Sequence, residues 1–289
     1  MNSLVSAVIP TRNRPELVCR AVRSALNQSY KHLEVVVVVD GPDEATVEML
    51  KALQESRLRV VELPENVGGS EARNVGVRNA NGEWIALLDD DDEWLPEKID
   101  KQLAMVATKG YENTLISCCY YFRTNRKADV LKPRRQPRAN ENVTGYIFEA
   151  YCALNTSTYL CHRDLFLSVP FDKNLPCLQD FDWYLRVMNR GGARLIVVPE
   201  PLSIYNDPSD RATITGKRTW EFVFDYAKSH RALMTKRIYA QFIVKCCVRL
   251  AVRQKAGSGA LLEIFAEIFR HGSPSLEIVA LFLLFCLKK

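Results

Sequence analysis

The first 90 residues alternate short apolar runs with segments whose apolar residues recur at helical spacing. Apolar runs of this length, bounded by Pro, Gly or Asp, predict strands. They occur at Leu4–Ile9, Leu33–Val39, Leu58–Glu62 and Trp84–Leu88. Helices are predicted between them, after a cap at Asn13–Glu16, from about Asp43 to Ser56 and from about Ser70 to Ala80. The predicted order is β-α-β-α-β-α-β.

The run Leu33–Val39 indicates the kind of sheet. All of its residues except Glu34 are apolar, without alternation. Such a strand is buried on both faces, as in a parallel sheet covered by helices. Ligands of open parallel sheets bind at the carboxyl ends of the strands. Asp40 and the run Asp89–Asp92 both follow predicted strands, so we expect a site there.

The four consecutive aspartates Asp89–Asp92 follow the apolar run directly. Adjacent carboxylates repel one another, so a fold that holds them together must neutralise them with a cation, hydrogen bonds or protons. A hard divalent ion that also takes phosphate oxygens would do so. The alternative is a solvated acidic turn that caps a helix beginning near Pro96.

The last 70 residues have a helical and basic pattern. Thr219–Lys255 predicts a basic amphipathic helix, and a second apolar-rich helix runs to Arg270. Leu276–Leu287 is apolar all round and closed by two lysines, but it is too short to span a bilayer. Either it packs into a helical core, or it lies on a membrane surface. Residues 217–289 carry 13 Lys and Arg against 5 Asp and Glu, which favours an anionic membrane surface.

Composition narrows the class of protein. With 289 residues, 47% hydrophobic and 25% charged, the chain can form a sizeable α/β core with an appendage. Nine scattered cysteines without a C-x-x-C pair predict neither a disulfide framework nor a zinc site. A reducing compartment fits best. The N-terminus lacks the features of a signal peptide. We therefore expect a cytoplasmic protein, free or peripheral on the cytoplasmic face of the inner membrane.

Familiar nucleotide and metal motifs are missing from the sequence. It contains neither G-x-G-x-x-G after the first strand nor a G-x-x-x-x-G-K-[ST] loop, and the aspartates lack the glycine of a calcium-binding loop. The segment Arg123–Arg138 has seven Lys and Arg. We predict an irregular exposed loop there, either simply solvated or facing a phosphate group of a substrate. Because aromatic residues are absent within it, a nucleic-acid arm is not expected.

Five ordered motifs resemble family 2 glycosyltransferases, which have the GT-A fold. They read VSAVIPTRNRP, VVVVVDGPD, ENVGGSEARNVGVRNANGEWIALLDDDDEW, NTSTYLCHRDLF and LQDFDWYLRV, and together they cover roughly Leu4–Tyr205. The resemblance implies a mostly parallel central sheet flanked by helices, with a Rossmann-like N-terminal half. It also implies transfer of a sugar from a nucleotide-diphosphate donor to an acceptor hydroxyl, with inversion at the anomeric carbon.

The resemblance also implies roles for individual residues. The D-x-D motif of the family falls on Asp89 and Asp91, with Asp91 on a divalent metal, Mn²⁺ or Mg²⁺. The catalytic base falls on Asp180. Positions that bind the nucleotide sugar fall on Pro10, Thr11, Arg12, Asp40, Arg73, Asp89 and Asp90.

Two departures from the family pattern bear on the donor. Many members have a second aspartate after the second strand, where this chain has Val39. UDP remains the expected nucleotide, but with one carboxylate fewer around its nucleobase. The segment Leu202–Arg211 lacks the histidine that often completes the site. Asn206, Asp207 and Arg211 are possible substitutes there, although a surface loop explains the same residues.

The sequence thus predicts residues 1–216 as a GT-A catalytic domain and 217–289 as a basic helical extension. Within the first, the nucleotide-sugar-binding half covers about 1–110 and the acceptor half about 111–216. The expected function is an inverting, metal-dependent transferase that uses a UDP-sugar in the synthesis of cell-surface polysaccharide or lipid-linked glycan. The alternative is a catalytically silent nucleotide-sugar-binding subunit of a glycan assembly complex. The expected partners are the donor, a saccharide acceptor and an anionic membrane surface, and not nucleic acid.

Overall fold

A computed structural model describes residues 3–109, 113–124, 127–138, 141–149, 155–190, 192–207 and 218–287. The chain forms two compact units, residues 1–143 with 150–210 and residues 144–149 with 211–289. The predicted domain boundary at residue 216 lies outside the described residues.

The described residues contain nine strands and twelve α-helices. The strands are Val5–Thr11 (β1), Leu33–Val39 (β2), Leu58–Glu62 (β3), Trp84–Leu87 (β4), Glu93–Trp94 (β5), Thr114–Thr124 (β6), Lys127–Lys132 (β7), Leu160–His162 (β8) and Arg194–Asn206 (β9). The helices are Pro15–Leu26 (α1), Glu44–Lys51 (α2), Gly69–Asn79 (α3), Lys98–Lys109 (α4), Val143–Glu149 (α5), Arg163–Ser168 (α6), Gln179–Met188 (α7), Trp220–Ser229 (α8), Lys236–Phe242 (α9), Arg249–Arg253 (α10), Ser258–His271 (α11) and Leu276–Leu287 (α12).

The first unit is built on one mixed sheet with the order β3-β2-β1-β4-β8-β6-β9-β5, and β7 pairs with β6. The four strands β3, β2, β1 and β4 are parallel, as the sequence predicts. Strand β8 runs antiparallel to both β4 and β6, whereas β6 and β9 are parallel. The valine-rich β2 is buried along almost its whole length, because helices cover both faces of a parallel sheet.

Helix α3 lies very close to the sheet, and Gly76 makes this possible. A Cβ atom at Gly76 would lie 2.3 Å from Val8 Cγ1 and 3.2 Å from Val38 Cγ2. Any larger residue would push α3 away from β1 and β2. The close packing matters for the site, because Arg73 lies one turn before Gly76 on the same helix.

The prediction of an irregular loop at residues 123–138 is wrong for its first part. Strand β6 continues to Thr124, and β7 pairs with it from Lys127 to Lys132. Exposed basic residues can occupy strand positions when a neighbouring strand pairs with them. The remaining stretch, up to Arg138, is irregular as predicted.

The second unit is helical, as predicted, but its first long helix is interrupted. The chain between α8 and α9 leaves the α-helical conformation, and Thr235 caps α9 through its hydroxyl. A π-helical segment, Ile243–Val248, joins α9 to α10. The final helix α12 has the predicted bounds, with Ile278 and Phe282 buried. In the part of the chain that the structure describes, no helix is long and apolar enough to cross a membrane.

Candidate active site

The acidic run between β4 and β5 is distributed among four different sets of partners. Asp89 accepts a bond from Arg73 Nη2 at 2.6 Å. Asp90 accepts from Thr11 Oγ1 and from Arg14 Nη1, each at 2.8 Å. Asp91 lies 3.3 Å from the same guanidinium nitrogen of Arg14. The repulsion expected from four carboxylates is thus offset partly by two arginines.

Asp92 is buried and holds the acidic run to two distant segments. One of its oxygens accepts from Ser157 Oγ at 2.6 Å and from Asn155 Nδ2 at 3.2 Å. The other accepts from the Asn206 backbone amide at 3.1 Å. The Asn206 side chain also donates to the Asp91 carbonyl at 2.8 Å. These bonds fix the acidic run between the end of β9 and the turn before β8.

The expected nucleobase end lies at the carboxyl ends of β1 and β2. The Asp40 side chain is buried and accepts from the backbone amides of Val67 at 2.7 Å and Gly68 at 3.0 Å. It therefore anchors the turn that leads into α3. Gly68 has a φ of 85°, which glycine adopts without strain. The predicted residue Pro10 is half-buried at the end of β1, Thr11 is buried, and Arg12 is exposed.

Arg73 connects the acidic run to the segment that carries the predicted base. Besides its bond to Asp89, Arg73 Nη1 lies 3.4 Å from Gln179 Oε1. Gln179 immediately precedes Asp180 at the start of α7. Burial opposes the charge of Arg73, but the charges of Asp89 and then Asp180 outweigh it and raise the pKa of Arg73. The structure thus places Arg73 near both Asp89 and Asp180.

The environment of Asp180 suits a group that accepts a proton. Asp180 is exposed to solvent, but partial desolvation by the surrounding protein raises the pKa of its carboxyl. The charge of Arg73 and a hydrogen bond from Thr156 oppose the rise, while the charge of Asp89 adds to it. A carboxylate with a raised pKa is a stronger base at neutral pH.

Asp182, the carboxylate two residues after Asp180, has a structural role. Its side chain is 1% exposed and forms an ion pair with Arg186 at 2.7 Å on the same helix. A carboxylate that is buried and paired in this way is not available to an acceptor. The geometry favours Asp180 over Asp182.

Asp89 and Asp91 are the members of the acidic run that keep some access to solvent. Their side chains are 27% and 17% exposed, whereas that of Asp90 is 9% exposed and Asp92 is buried. Within the described ranges, no group of three or more His, Cys, Asp or Glu is arranged to hold a metal. Two accessible carboxylates fit Mg²⁺ or Mn²⁺, because such ions complete their shell with phosphate oxygens and water.

Burial and mutual repulsion shape the protonation of the other carboxyls. Burial, followed by the charges of Asp89 and Asp91, raises the pKa of Asp92 well above its ordinary value. Burial also raises the pKa of Asp90, although Arg14 and the Thr11 hydroxyl oppose the rise. The acidic run therefore concentrates negative charge that a cation would relieve.

Sequence reasoning missed some residues that build this site. Arg14, for which no role was predicted, contacts Asp90 and Asp91 of the acidic run. Asn206 was considered only as a substitute ligand, but it positions the backbone of the run. Asp207, considered with it, donates its backbone amide to the Arg123 carbonyl at 2.8 Å. Arg211 lies outside the described residues. The available signal for Arg14 was its place in the motif VSAVIPTRNRP, in which the resemblance gives a role to Arg12 and none to Arg14.

Comparison with known proteins identifies the family. The model described as "Glycosyl transferase family 2" matches residues 6–167, more than half of the chain. A relative in Erwinia amylovora, "Amylovoran biosynthesis glycosyltransferase AmsB", is 27% identical over 212 residues, which cover 70% of this chain and 69% of the relative.

Solved structures agree on the fold. The structure of S. aureus TarS 1-349 in complex with UDP-GlcNAc matches with a TM-score of 0.71 at 16% identity, over 96% of this chain and 83% of that one. The mannosyltransferase PcManGT of Pyrobaculum calidifontis, in complex with GDP-Man and Mn²⁺, matches with a TM-score of 0.62 at 18% identity, over 99% of this chain and 86% of that one. The chain therefore has the GT-A fold, belongs to glycosyl transferase family 2 and is a transferase enzyme.

Proposed function

We propose that this protein is an inverting, metal-dependent glycosyltransferase that moves a sugar from a UDP-sugar to an acceptor hydroxyl. The observation that carries the proposal is the linkage through Arg73, which bonds Asp89 of the acidic run and reaches Gln179 next to Asp180. Arg73 thereby bonds the carboxylate that we assign to the donor and the residue that immediately precedes the base that we assign. Transfer needs both groups close to the anomeric carbon.

The nucleoside end of the donor is assigned to the ends of β1 and β2, where Pro10, Thr11, Arg12 and Asp40 lie. UDP is our choice of nucleotide, and it is supported by the UDP-GlcNAc complex of the TarS neighbour. The GDP-Man complex of PcManGT belongs to the same fold, so the fold alone leaves the base open.

The diphosphate is assigned to the accessible carboxylates of the acidic run. Asp91, with Asp89 beside it, would hold a divalent ion, Mn²⁺ or Mg²⁺. When bound, such an ion offsets the charge that develops on the leaving diphosphate. Arg14 contributes a fixed positive charge at the same place, since it contacts both Asp90 and Asp91.

Asp180 is assigned the role of base. Its carboxylate takes the proton of the acceptor hydroxyl while the oxygen attacks the anomeric carbon from the face opposite the diphosphate. The bond between that carbon and the phosphate oxygen breaks, and UDP leaves with the electron pair. One displacement of this kind inverts the configuration.

The cellular role that we propose is synthesis of a cell-surface polysaccharide or a lipid-linked glycan. A relative named for amylovoran biosynthesis supports it. We also propose peripheral attachment to the cytoplasmic face of the inner membrane through the second unit. On α12, Leu276 is 90% exposed and Leu287 is 83% exposed, which is costly in water but favourable at a lipid surface.

A donor panel tests this proposal. Purified full-length protein is incubated with UDP-, GDP- and other nucleotide sugars, with Mn²⁺, Mg²⁺ or EDTA, and release of the nucleoside diphosphate is measured. We expect release from one or a few UDP-sugars, lost in EDTA and lost in Asp91→Ala. Undiminished release in EDTA would contradict the metal dependence, and release from GDP-sugars alone would contradict the choice of UDP.

A further inference from the structure

Three side chains from adjacent strands form a continuous ladder beside the active site. They are Lys132 of β7, Phe122 of β6 and Tyr205 of β9. Phe122 pairs with Tyr205 across the parallel strands β6 and β9, and Tyr120 pairs with Lys132 across the antiparallel strands β6 and β7. Side chains of paired residues, and of residues two apart on one strand, lie on the same face of a sheet. We call these three residues the aromatic ladder.

The contacts within the aromatic ladder are close and ordered. Lys132 Nζ lies 3.9 Å from the centroid of the Phe122 ring, which is a cation–π distance. The Phe122 and Tyr205 rings are stacked, with centroids 5.4 Å apart and planes at 15°. The stack orients the Tyr205 ring and places a positive charge at the far end of the ladder.

Tyr205 brings the aromatic ladder to the acidic run. It directly precedes Asn206, which bonds both Asp91 and Asp92. Burial raises the pKa of the Tyr205 phenol, and the charges of Asp92, Asp91 and Asp89 raise it further. Its hydroxyl makes no hydrogen bond with any residue that the structure describes. A half-buried phenol at this position is available to a ligand.

Among the described residues of this hairpin, Lys132 is a cation without an ion-pair partner. Arg123 is paired with Asp129, and Arg135 is paired with Glu141. No carboxylate of the described ranges lies within ion-pair distance of Lys132. Burial and the neighbouring charge of Arg134 lower the pKa of Lys132, and Asp207 opposes this only in part. An oxyanion placed beside Lys132 would stabilise its charged form, which burial disfavours.

The aromatic ladder separates this cation from the acidic run. Strands β7 and β9 both pair with β6, and Lys132 Nζ lies over the Phe122 ring, whose other neighbour in the ladder is Tyr205. We therefore assign the anion at Lys132 to a group other than a phosphate held at Asp91. A second saccharide that reaches from the acidic run along the ladder spans that separation.

We propose that the aromatic ladder binds an acceptor saccharide that carries an anionic group, with Lys132 bound to the oxyanion and Tyr205 bound to the sugar near the acidic run. The inference rests on the proposed function, since it assigns the acceptor of that same transfer. The oxyanion is a phosphate ester or a carboxylate, because either matches an ammonium group.

Calorimetry with three probes tests the proposal. Glucose 1-phosphate, glucuronate and uncharged glucose are titrated into full-length protein saturated with UDP and Mn²⁺, so that the donor site is filled. We expect at least one anionic probe to bind, glucose not to bind measurably, and Lys132→Gln to weaken the bound probe by about tenfold, as for loss of one charge-assisted hydrogen bond. Binding of only one anionic probe identifies the oxyanion as phosphate or carboxylate.

Two further variants separate specific contact from overall charge. Arg123→Gln removes the same charge from the same hairpin and should change probe affinity less than twofold. Tyr205→Phe keeps the stacked ring but removes the hydroxyl, and it should weaken binding by about threefold. Thermal melts of each variant establish that the fold is retained.

The results that would overturn the proposal are distinct from failure of the proposed function. Equal affinity of Lys132→Gln and wild type, an equal loss in Arg123→Gln, or binding of no anionic probe would each overturn it. UDP affinity is measured first, and the probes are also titrated into nucleotide-free protein. Absence of UDP binding would therefore count against the proposed function, while the probe titration still decides the role of the ladder.

Discussion

Arg73 Nη2 donates to Asp89 Oδ1 at 2.6 Å, and this bond joins helix α3 to the acidic run that follows β4. The Arg73 side chain is 12% exposed, so the ion pair is shielded from solvent. Shielded charge pairs that are also hydrogen-bonded lose much more when one partner is removed than exposed pairs do. The position of Asp89 relative to Asp180 therefore depends on Arg73.

We expect Arg73→Lys to lower kcat/KM by about tenfold or more. Lysine keeps the charge, but its single ammonium cannot replace the two terminal guanidinium nitrogens that bond Asp89 and Gln179. Steady-state kinetics with the preferred donor measure the effect. Arg78→Lys, on the same helix in an exposed pair with Glu71, is the control and should behave like wild type. Similar losses in both variants would show that the effect comes from the helix and not from the Asp89 bond.

We expect Asp92→Ala to lower the free energy of unfolding by about 3 kcal/mol, because the buried donors of Ser157, Asn155 and Asn206 lose their acceptor. Urea denaturation measures the difference. Asp92→Asn keeps one acceptor oxygen and should lose less. One hydrogen bond contributes about 1 kcal/mol. An alanine variant whose free energy of unfolding lies within about 1 kcal/mol of the wild-type value would contradict the anchoring role of Asp92.

A buried lysine predicts how stability changes at alkaline pH. Lys98 lies over the Trp94 ring at 4.2 Å and bonds Gln102, and burial lowers its pKa from 10.5 to about 8. Between these two values the unfolded chain binds more protons at this position than the folded chain does. The contribution of Lys98 to the free energy of unfolding therefore rises with pH, by about 3 kcal/mol across that window, and is constant below it.

Lys98→Met should remove this rise. Urea denaturation is measured at about pH 7.5, 9 and 10, which start below the window of about 8 to 10.5 and cover most of it. Wild type is compared with Lys98→Met and with Lys31→Met, an exposed control that should keep the wild-type dependence. If the stability difference between wild type and Lys98→Met does not change with pH, Lys98 does not titrate as expected.

Much of the fold follows from local sequence, and the exceptions have physical reasons. The bounds of β2, β3 and α12 match the prediction. In β2 and α12 a single polar residue, Glu34 or Glu277, interrupts an otherwise apolar run, so the ends of the run are clear in the sequence. The hairpin of β6 and β7 was missed because pairing with a neighbouring strand outweighs the loop-like composition of Arg123–Arg138. The π-helical segment Ile243–Val248 was not predicted, because the α-helical spacing of apolar residues does not distinguish a π-helical turn from an α-helical one.

The residues of the candidate site could be named in advance where a motif carries them, as for Arg73, Asp89 and Asp180. Their side-chain partners on other segments were not predictable, since these contacts depend on the three-dimensional path of the chain. The anchoring of Asp92 by Ser157 and Asn206 is of this kind, and so is the contact of Arg14 with the acidic run.

The proposed membrane attachment predicts binding to anionic vesicles. Full-length protein should co-sediment with vesicles that contain phosphatidylglycerol at low salt, and less at high salt, because the basic second unit is attracted to anionic lipid. The double variant Leu283→Glu/Leu287→Glu changes two exposed side chains of α12 and should reduce binding severalfold. Leu167→Glu, an exposed leucine of the first unit, is the control. Wild type that stays in the supernatant at low salt would contradict attachment.

The most direct test of the central claim is Asp180→Asn, measured for both donor binding and transfer. An amide keeps the shape of the carboxylate but cannot take the acceptor proton. We predict that metal-dependent UDP-sugar affinity stays within about threefold of wild type while kcat falls by about two to four orders of magnitude. Asp172→Asn, in the loop before α7, is the control and should keep full activity. An Asp180→Asn enzyme that retains more than about a tenth of wild-type kcat at saturating substrates would contradict the account, because general-base loss costs far more.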